Sequence, residues 1–218
     1  MPTNPPSTAY DLVIDTATEE LSVAVLNAEH AILAHTQKTV WRDMGAQLQP
    51  TILDVLKQSD INFTDLSALY INLGPGSFTS IRIGLASVRA MSFALGIPAY
   101  GASGLAALAA PHKGKAVALC LKAVGQDVYW QTYNASGRPE TDALCLPLEQ
   151  ALSQCPQGAL LLTNLNLRDY QGACMWQEVV AVSTPAPVDV IKVAQGSGHS
   201  RDLQPYYIRA LTYKKQIA

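Results

Sequence analysis

The residues best suited to chemistry form a glycine-rich run, GPGSFT at 74–79, between an apolar segment and a long helical pattern. Gly74 and Gly76 allow the backbone to turn sharply and to approach another group closely. Free N–H groups at the start of a helix suit an anion, and Ser77 adds a hydroxyl there. The run lacks the lysine and the spacing of a Walker A loop, and it is not a dinucleotide-binding fingerprint. Two alternatives therefore stay open, an anion-binding turn and a tight structural turn.

A second polar motif, DTAT at 15–18, follows the first strand pattern. A carboxylate and two hydroxyls at a turn between strands could hold a phosphate or a hydrated magnesium ion. The alternative, which the residues favour, is an Asx-type turn that closes a hairpin. Together the two motifs predict one candidate nucleotide or phosphate site, made of Asp15, Thr16, Gly74, Gly76 and Ser77.

Other hydrolytic or metal chemistry finds little support in the sequence. The histidines form no H-x-x-x-H or H-E-x-x-H pair, and there is no G-x-S-x-G elbow. The cysteines form no C-x-x-C pair, which predicts buried thiols in a reducing cytoplasm. We therefore predict no metal site. The histidines are His30, His35, His112 and His199, and the cysteines are Cys120, Cys145, Cys155 and Cys174.

The composition indicates a globular protein with little charged surface. Hydrophobic residues make up 49% and charged residues 15% of the 218 residues, where about 25% charged is usual. This excludes general disorder and leaves room for an apolar patch that a partner covers. The net charge of −2 argues against an autonomous nucleic-acid binder. No apolar run approaches the roughly 18 residues of a membrane span, and the N-terminus has no secretory signal, so we expect a cytoplasmic protein with a short disordered leader.

The apolar periodicity predicts a three-stranded antiparallel meander, followed by strands that alternate with helices. The order βββαβαβα indicates an α/β protein with a mixed sheet and helices packed against it. A linker near 111–115 and a further strand pair introduce a smaller α/β half, so we divide the chain into 10–111, 112–204 and a tail, 205–218. The predicted strands are 11–15, 21–26, 31–36, 66–73, 98–100, 116–121 and 127–133, and the predicted helices are 44–58, 79–95 and 103–110.

The long helix at 79–95 is apolar on two opposite arcs. Such a helix is buried on two sides, so one arc can pack on its own sheet and the other on another helix or another protein. We favour another protein, and we expect Arg82 and Arg89, which share one stripe, to pair with acidic residues across that contact. One arc holds Phe78, Ile81, Leu85, Val88 and Leu95, and the other holds Ile83, Ala86, Ala90, Phe93 and Ala94. The predicted partner surface, whose larger apolar members divide between sheet and partner, is Phe78, Ile81, Arg82, Ile83, Leu85, Ala86, Arg89, Ala90 and Phe93.

The C-terminal run PYYIR at 205–209 precedes two lysines, Lys214 and Lys215. This run could form a strand or turn that docks back onto the N-terminal half, with Arg209 pairing a carboxylate. The basic tail could instead contact RNA phosphates. Docking is the role that we favour.

Several motifs together resemble the TsaB family, also called YeaZ. The resemblance extends over most of residues 10–210, is dense over 66–108 and is sparse over 134–200. The run GPGSFT-x-x-R-I-G is its most specific part. The matching segments are DTAT at 15–18, LGPGSFTSIRIGLA at 73–86, GIP at 96–98, GAS at 101–103, VYW at 128–130 and PYYIR at 205–209.

The resemblance implies an actin-like ATPase fold, which is related to ribonuclease H. It also implies a non-catalytic subunit of the bacterial machinery that installs threonylcarbamoyl on N6 of an adenosine in tRNAs reading codons that begin with A. In that machinery a TsaD-type catalytic paralogue transfers the group, a TsaB-type subunit pairs with it through N-terminal helices, and a TsaE-type ATPase joins them. The implied contact with tRNA runs through the complex, and the isolated chain could form a homodimer. No catalytic residue, metal or resident cofactor is implied, although ATP at the interface of the complex stays open.

The sequence departs from the family pattern at two places. Family members often have a His-Ser pair before the first helix, where this chain has Asp43-Met44-Gly45, and D-A-R before the V-Y strand, where it has Lys122-Ala123-Val124. Both departures weaken any residual nucleotide chemistry, so the candidate phosphate site is expected to be vestigial. The alternative functions are an active ATP-binding phosphotransferase or ATPase that uses Asp15, Thr16 and the 74–77 loop, and a metallopeptidase, which the histidine pattern disfavours.

Overall fold

A computed structural model of the chain describes residues 9–167, 178–197 and 203–208. The described residues form two five-stranded sheets, the first in the order β3-β2-β1-β4-β5 and the second in the order β10-β9-β6-β7-β8. The first sheet is formed by β1 (Tyr10–Asp15), β2 (Glu20–Leu26), β3 (Ile32–Thr39), β4 (Leu66–Asn72) and β5 (Ala99–Ala102), with helices α1 (Met44–Gln58), α2 (Phe78–Leu95) and α3 (Gly104–Ala109). The predicted order βββαβαβα is confirmed.

Connection length explains the mixed first sheet. Short turns join β1, β2 and β3, which pair antiparallel, whereas helices lead to β4 and β5, which pair parallel to β1 and to each other. Since β3 and β4 both run parallel to β1, the helices that follow them leave the same edge of the sheet and run in the same direction. Both helices contribute side chains to one core on the same face of the sheet, where Ile83 of α2 approaches Gly45 of α1.

The second sheet follows α3 and completes the predicted smaller α/β half. It contains β6 (Val117–Lys122), β7 (Asp127–Tyr133), β8 (Leu144–Pro147), β9 (Leu160–Thr163) and β10 (Glu178–Ala181), with helices α4 (Leu148–Ser153) and α5 (Pro187–Gly196). The predicted strands at 116–121 and 127–133 correspond to β6 and β7, an antiparallel pair. No helix in the described ranges is both long enough and apolar enough to cross a membrane.

The two sheets share buried side chains. Leu105 and Leu108 of α3 pack with Leu119 and Tyr129 of the second sheet. The helix α5 lies after the second sheet in the chain but covers the free face of the first sheet, where Val190, Ile191 and Ala194 pack against β1, β2 and β4. The predicted division at 111/112 falls between the strands of the first sheet and those of the second, and it stays a prediction. The helix α5 belongs to the segment after 112 but packs on the sheet formed by the segment before it.

The ends of α2 follow from local sequence. Ser77 caps the N-terminus, because its Oγ accepts a hydrogen bond from the N–H of Ser80. Gly96 ends the helix in the left-handed conformation, with φ of 66°. These two residues set where the helix begins and ends, and this helix carries all nine residues of the predicted partner surface.

Cysteine burial agrees with a structural role for Cys120. This thiol is buried on β6, and burial raises its pKa to about 12. Cys145 and Cys155 are half-buried thiols. Cys174 lies outside the described residues.

Candidate functional site

The carboxylate of Asp15 is buried at the end of β1 and is engaged within the chain. Its Oδ1 accepts a hydrogen bond of 2.8 Å from the N–H of Ala17, and its Oδ2 accepts one of 2.7 Å from Nδ2 of Asn72. Burial raises the pKa of this carboxyl, although the two hydrogen bonds act in the opposite direction. The bond to Ala17 forms the Asx-type turn, which was the favoured alternative at this motif.

Asn72, at the end of β4, joins the two predicted motifs. Its Nδ2 donates to Asp15, and its Oδ1 accepts a 2.9 Å hydrogen bond from the N–H of Gly74. The carbonyl of Gly74 in turn accepts from the N–H of Gly104, at the start of α3. Sequence reasoning missed Asn72, but one polar residue at the end of an otherwise apolar strand was a usable signal.

The glycine-rich turn is closed by the backbone of the first motif. The N–H of Ser77 donates a 2.7 Å hydrogen bond to the carbonyl of Ala17. A Cβ placed on Gly76 would overlap that same carbonyl, so glycine is required for the close approach. An anion here would have to replace a carbonyl oxygen that already accepts from Ser77. Of the two alternatives left open, the geometry therefore favours the tight structural turn.

Thr16 completes the contact between the two motifs. Its Oγ1 donates a 2.9 Å hydrogen bond to the carbonyl of Ser80, and the side chain lies against Gly84 of α2. The structure thus brings all five predicted site residues together, but their polar groups bind elements of this chain.

Histidines and carboxylates do not assemble into a metal centre within the described residues. No group of three such side chains with metal-binding geometry occurs there. His35 on β3 pairs with Ser22 on β2, at 2.9 Å between Nε2 and Oγ, and burial lowers its pKa. His30 approaches Gln195 of α5. His199 lies outside the described residues.

One arc of α2 faces its own sheet, as predicted. Ile81 and Val88 are 0% exposed and Leu85 is 2% exposed. The predicted partner surface is therefore wrong at Ile81 and Leu85, because the helical period turns both side chains onto the first sheet, where they form part of its core. Neither can touch another protein while the helix stays on the sheet.

The opposite arc of α2 is open to solvent and has α1 beside it. Phe93 is 92% exposed, and Ala86 and Ala90 are also exposed. Ile83, which belongs to the same arc, is half-buried against α1. On α1 the outward residues include Leu53, which is 55% exposed. We name this the helix-pair surface, and it consists of Ala46, Gln49 and Leu53 from α1 with Ala86, Ala90 and Phe93 from α2.

The sequence predicted the helix at 44–58 as the neighbour of α2 at the partner contact, but it named no surface residue of that helix or of the turn before it. Leu53 falls outside the buried face of α1, and this off-phase leucine was the available signal. Trp41, just before α1, is 68% exposed and has a positive φ of 45°. A bulky residue in that conformation is uncommon. With its side chain mostly exposed, Trp41 adds a large apolar group just before the first turn of α1.

Arg82 and Arg89 contact the C-terminal segment 203–208, which we name the strap. The Nε of Arg82 donates to the hydroxyl of Tyr207 at 3.0 Å, and its guanidinium lies 3.7 Å from the centre of the Phe78 ring. Nη2 of Arg89 donates to the carbonyl of Leu203 at 2.8 Å. Both arginines were predicted to pair with acids across a partner contact, but the bonds described here hold the chain's own strap.

The strap packs against residues at and just before the N-terminus of α2. The ring of Tyr207 stacks on Phe78 with 5.0 Å between centroids, and the N–H of Tyr206 donates to the carbonyl of Leu73. Phe78, a predicted partner residue, is thus half-buried under the strap. Arg209, Lys214 and Lys215, and with them the predicted ion pair of Arg209, lie outside the described residues.

The arrangement of the two sheets, with helices on both faces of the first, defines an actin-like α/β fold of the ribonuclease H-like kind. A solved structure described as an uncharacterized protein with similarity to peptidase YeaZ from Pseudomonas aeruginosa superposes with a TM-score of 0.76. It is 25% identical and covers 92% of this chain and 100% of its own. A structure of YeaZ from Pseudomonas aeruginosa gives a TM-score of 0.75 at 24% identity, covering 91% of this chain and 99% of its own.

Sequence comparisons place the chain within a family. Residues 36–145 match the family model described as "TsaD: tRNA N6-adenosine threonylcarbamoyltransferase". The tRNA threonylcarbamoyladenosine biosynthesis protein TsaB of Escherichia coli is 34% identical over 145 residues, which is 62% of each chain. An uncharacterized Mycobacterium tuberculosis protein is 28% identical over 199 residues, covering 91% of this chain and 90% of its own. The chain belongs to the TsaD-like family and, within it, to the TsaB (YeaZ) group. The expected family and fold are confirmed, and the matched region contains both helices of the helix-pair surface.

Proposed function

We propose that this chain is a non-catalytic subunit in the biosynthesis of threonylcarbamoyladenosine in tRNA, where it binds and activates a TsaD-type catalytic paralogue. A TsaE-type ATPase joins the complex in the cytoplasm, and tRNA is reached through the complex. The observation that carries the proposal is the helix-pair surface, on which Phe93 of α2 is 92% exposed and Leu53 of the neighbouring helix α1 is 55% exposed. Large apolar side chains in one exposed patch indicate a surface that a partner covers.

The shape of the helix-pair surface suits a second pair of helices. Small residues, Ala46, Ala86 and Ala90, line its part nearer the N-terminal ends of the two helices, and its larger apolar residues, Leu53 and Phe93, lie further along them. Small side chains allow the close approach that helix packing requires. A paralogue with the same fold carries an equivalent helix pair, so the two chains can form a four-helix contact.

Burial of a few large side chains supplies a moderate driving force. Phe93 is 92% exposed and Leu53 is 55% exposed, so covering both contributes about 2–4 kcal/mol, at about 1.5–3 kcal/mol for a fully exposed side chain. Association itself costs about 4 kcal/mol or more. The contact therefore needs the flanking residues as well, and the exposed Trp41 is the largest apolar side chain near α1 that could add to it.

The closed turn supports a role without catalysis by this chain. The N–H of Ser77 and the oxygens of Asp15 are engaged by Ala17 and Asn72. A nucleotide phosphate would have to break these bonds to bind here. We therefore propose that the site is vestigial, that the chain has no resident cofactor, and that any ATP in the complex binds at an interface.

The experiment is co-purification with a TsaD-type paralogue. Ala90→Arg places a charged side chain in the middle of the helix-pair surface and should abolish co-purification, because the guanidinium would be buried without a partner. Gln150→Arg is the control, since it adds the same side chain at an exposed position of α4. Equal thermal unfolding of both variants shows that the fold is intact. Wild-type recovery of the complex by Ala90→Arg would contradict the proposal.

The alternative, an active ATP-binding phosphotransferase or ATPase, would use Asp15, Thr16 and the loop at 74–77. Isothermal titration with ATP and magnesium separates the two functions, because the phosphotransferase requires binding and turnover by the isolated chain. A homodimer in isolation would agree with the proposed function, since one helix-pair surface can cover another.

A further inference from the structure

The strand β3 forms a long outer edge of the first sheet. The two sheets have four edge strands among the described residues, and β5, β8 and β10 have four residues each, whereas β3 has eight. An edge strand presents unpaired N–H and C=O groups, and a short edge offers few of them to another strand. Of these four edges, β3 is therefore the best suited to pair with a further strand.

The hydrogen bonds between β2 and β3 show which groups of β3 point outward. The N–H of Val40 donates to the carbonyl of Glu19, and the register is regular from there to the pair of Ala34 with Val25. In an antiparallel pair, residues bonded to the neighbouring strand alternate with residues whose N–H and C=O point the other way. The odd-numbered residues of this stretch therefore turn these groups away from β2. They are His35, Gln37 and Thr39.

The outward groups are available to another strand. In the described part of the chain, no backbone group of another element bonds to His35, Gln37 or Thr39. Edges are commonly protected by proline or by outward lysines. β3 has no proline, and Lys38 is directed onto α1, where its Nζ donates to Oε1 of Gln47 at 2.9 Å. The bulge in the β2–β3 pair lies before the three outward residues and leaves their register regular.

The outward residues are self-complementary about a two-fold axis at Gln37. An antiparallel second copy that places Gln37 opposite its own equivalent also places His35 opposite Thr39. All three residues then exchange N–H···O=C bonds with the second copy. No two like charges lie directly opposite each other in this register, an arrangement that would be destabilising. A two-fold contact of this kind closes on itself, because it uses the same edge of both copies.

Exposed apolar side chains at the two ends of this stretch favour a second copy as the occupant. Leu33, before the outward residues, is 44% exposed, and Trp41, after them, is 68% exposed. Both are four residues from Gln37, so the same two-fold register aligns Leu33 of one copy with Trp41 of the other. Pairing with a second copy thus covers apolar surface at both ends of the strand.

The helices next to β3 are compatible with this contact. α1 packs on both β2 and β3, whereas α5, on the opposite face, packs mainly over β1, β4 and β5. Neighbouring strands lie about 4.8 Å apart, so α1 and its equivalent in the second copy come within about 10 Å of each other. Packed helices have axes about 8–10 Å apart, and the two helices therefore meet at packing distance.

We propose that β3 is a self-association surface, to which a second copy of this chain adds its own β3 in antiparallel orientation. The two first sheets then form one continuous sheet of ten strands. This edge is separate from the helix-pair surface, which lies on the outward faces of α1 and α2. The inference therefore goes beyond the proposed function and does not depend on it.

The test is sedimentation equilibrium of the full chain from micromolar to millimolar concentration. All variants carry Ala90→Arg, which blocks self-association through the helix-pair surface. Gln37→Pro is compared with Gln37→Ala, because both lose the side-chain bonds to Glu20 and Ser183 but only proline lacks the outward N–H. Proline is tolerated at an edge position whose N–H faces solvent, and thermal unfolding checks the fold. Thr39→Pro against Thr39→Ala repeats the comparison at a second outward position.

The Ala90→Arg chain should form dimers, and Gln37→Ala should keep their dissociation constant. Gln37→Pro should raise this constant by about tenfold or more, because each dimer loses two hydrogen bonds. The amides of His35, Gln37 and Thr39 should also exchange more slowly as the concentration of the Ala90→Arg chain rises. An Ala90→Arg chain that stays monomeric, or equal constants for the proline and alanine variants, would overturn the proposal. Failure of the proposed function appears separately, in co-purification with the paralogue.

Discussion

Replacing Gly84 by alanine tests how closely α2 packs on Thr16, just after the end of β1. A Cβ at this position would overlap Oγ1 of Thr16 and lie 3.2 Å from Cδ1 of Ile71. In the interior of a helix alanine is favoured over glycine by about 1 kcal/mol. Overpacking a buried site costs about 1–3 kcal/mol, and displacing Thr16 from the carbonyl of Ser80 costs a further 0.5–1.5 kcal/mol or so. The unfavourable effects are larger, so Gly84→Ala should destabilise the protein by about 0.5–3.5 kcal/mol.

The assay for Gly84→Ala is thermal and urea unfolding of the isolated chain. A loss of this size lowers the melting temperature by about 2–4 °C per kcal/mol in a chain of this length. Gly45→Ala is the matched control, because a Cβ there meets only Cδ1 of Ile83, at an ordinary 3.7 Å. This control should leave stability unchanged or raise it slightly.

A double variant locates the cause of the destabilisation. In a Thr16→Ala background the groups that oppose a Cβ at Gly84 are largely removed, so the Gly84→Ala change should cost less there than in the wild type. A Gly84→Ala variant as stable as the wild type, or equal costs in both backgrounds, would refute the packing argument.

Two further predictions concern Asp15 and the strap. Burial raises the folded-state pKa of Asp15 above 3.8, so its contribution to stability is fully present below 3.8 and is lost as pH rises through the folded pKa. The gap in free energy of unfolding between wild type and a less stable Asp15→Asn should therefore narrow as pH rises above about 4, and a constant gap in urea titrations would contradict this. Arg82→Ala removes the bond to Tyr207 and the cation–π contact with Phe78, together worth about 1–2 kcal/mol. Hydrogen exchange at the N–H of Tyr206 should then accelerate about tenfold, with Arg82→Lys intermediate, whereas wild-type exchange in Arg82→Ala would show that these contacts do not hold the strap.

The elements of the first sheet could be predicted because each carried a local signal. Alternating apolar residues marked β1 and β2, and Gly96 with Pro98 marked the end of α2. The two arcs of α2 also followed from the helical period alone, and the structure places one arc on the sheet and exposes much of the other. The limits of β3 were less certain, since its outer residues are exposed and its apolar pattern ends before Thr39.

Whether the predicted phosphate site is open or closed depends on hydrogen bonds between segments that are far apart in the sequence. The sequence could not show that the carbonyl of Ala17 meets the N–H of Ser77, because 60 residues separate them and backbone groups leave no trace in residue type. The same limit applied to Arg82 and Arg89, whose partners lie in the strap. The division of the chain at 111/112 likewise gave no sign that α5 packs on the first sheet.

The shared packing between the two sheets bears on how this protein responds to a ligand or a partner. A protein whose two halves pack independently can change the angle between them by a hinge motion. In this chain α5, the strap and the core around Leu105 connect the two halves by buried contacts. Swinging one sheet away from the other would expose these apolar side chains at several points at once. The chain should therefore act as a stiff scaffold, and binding free energy gained at the helix-pair surface is available for affinity, with little of it consumed by internal rearrangement.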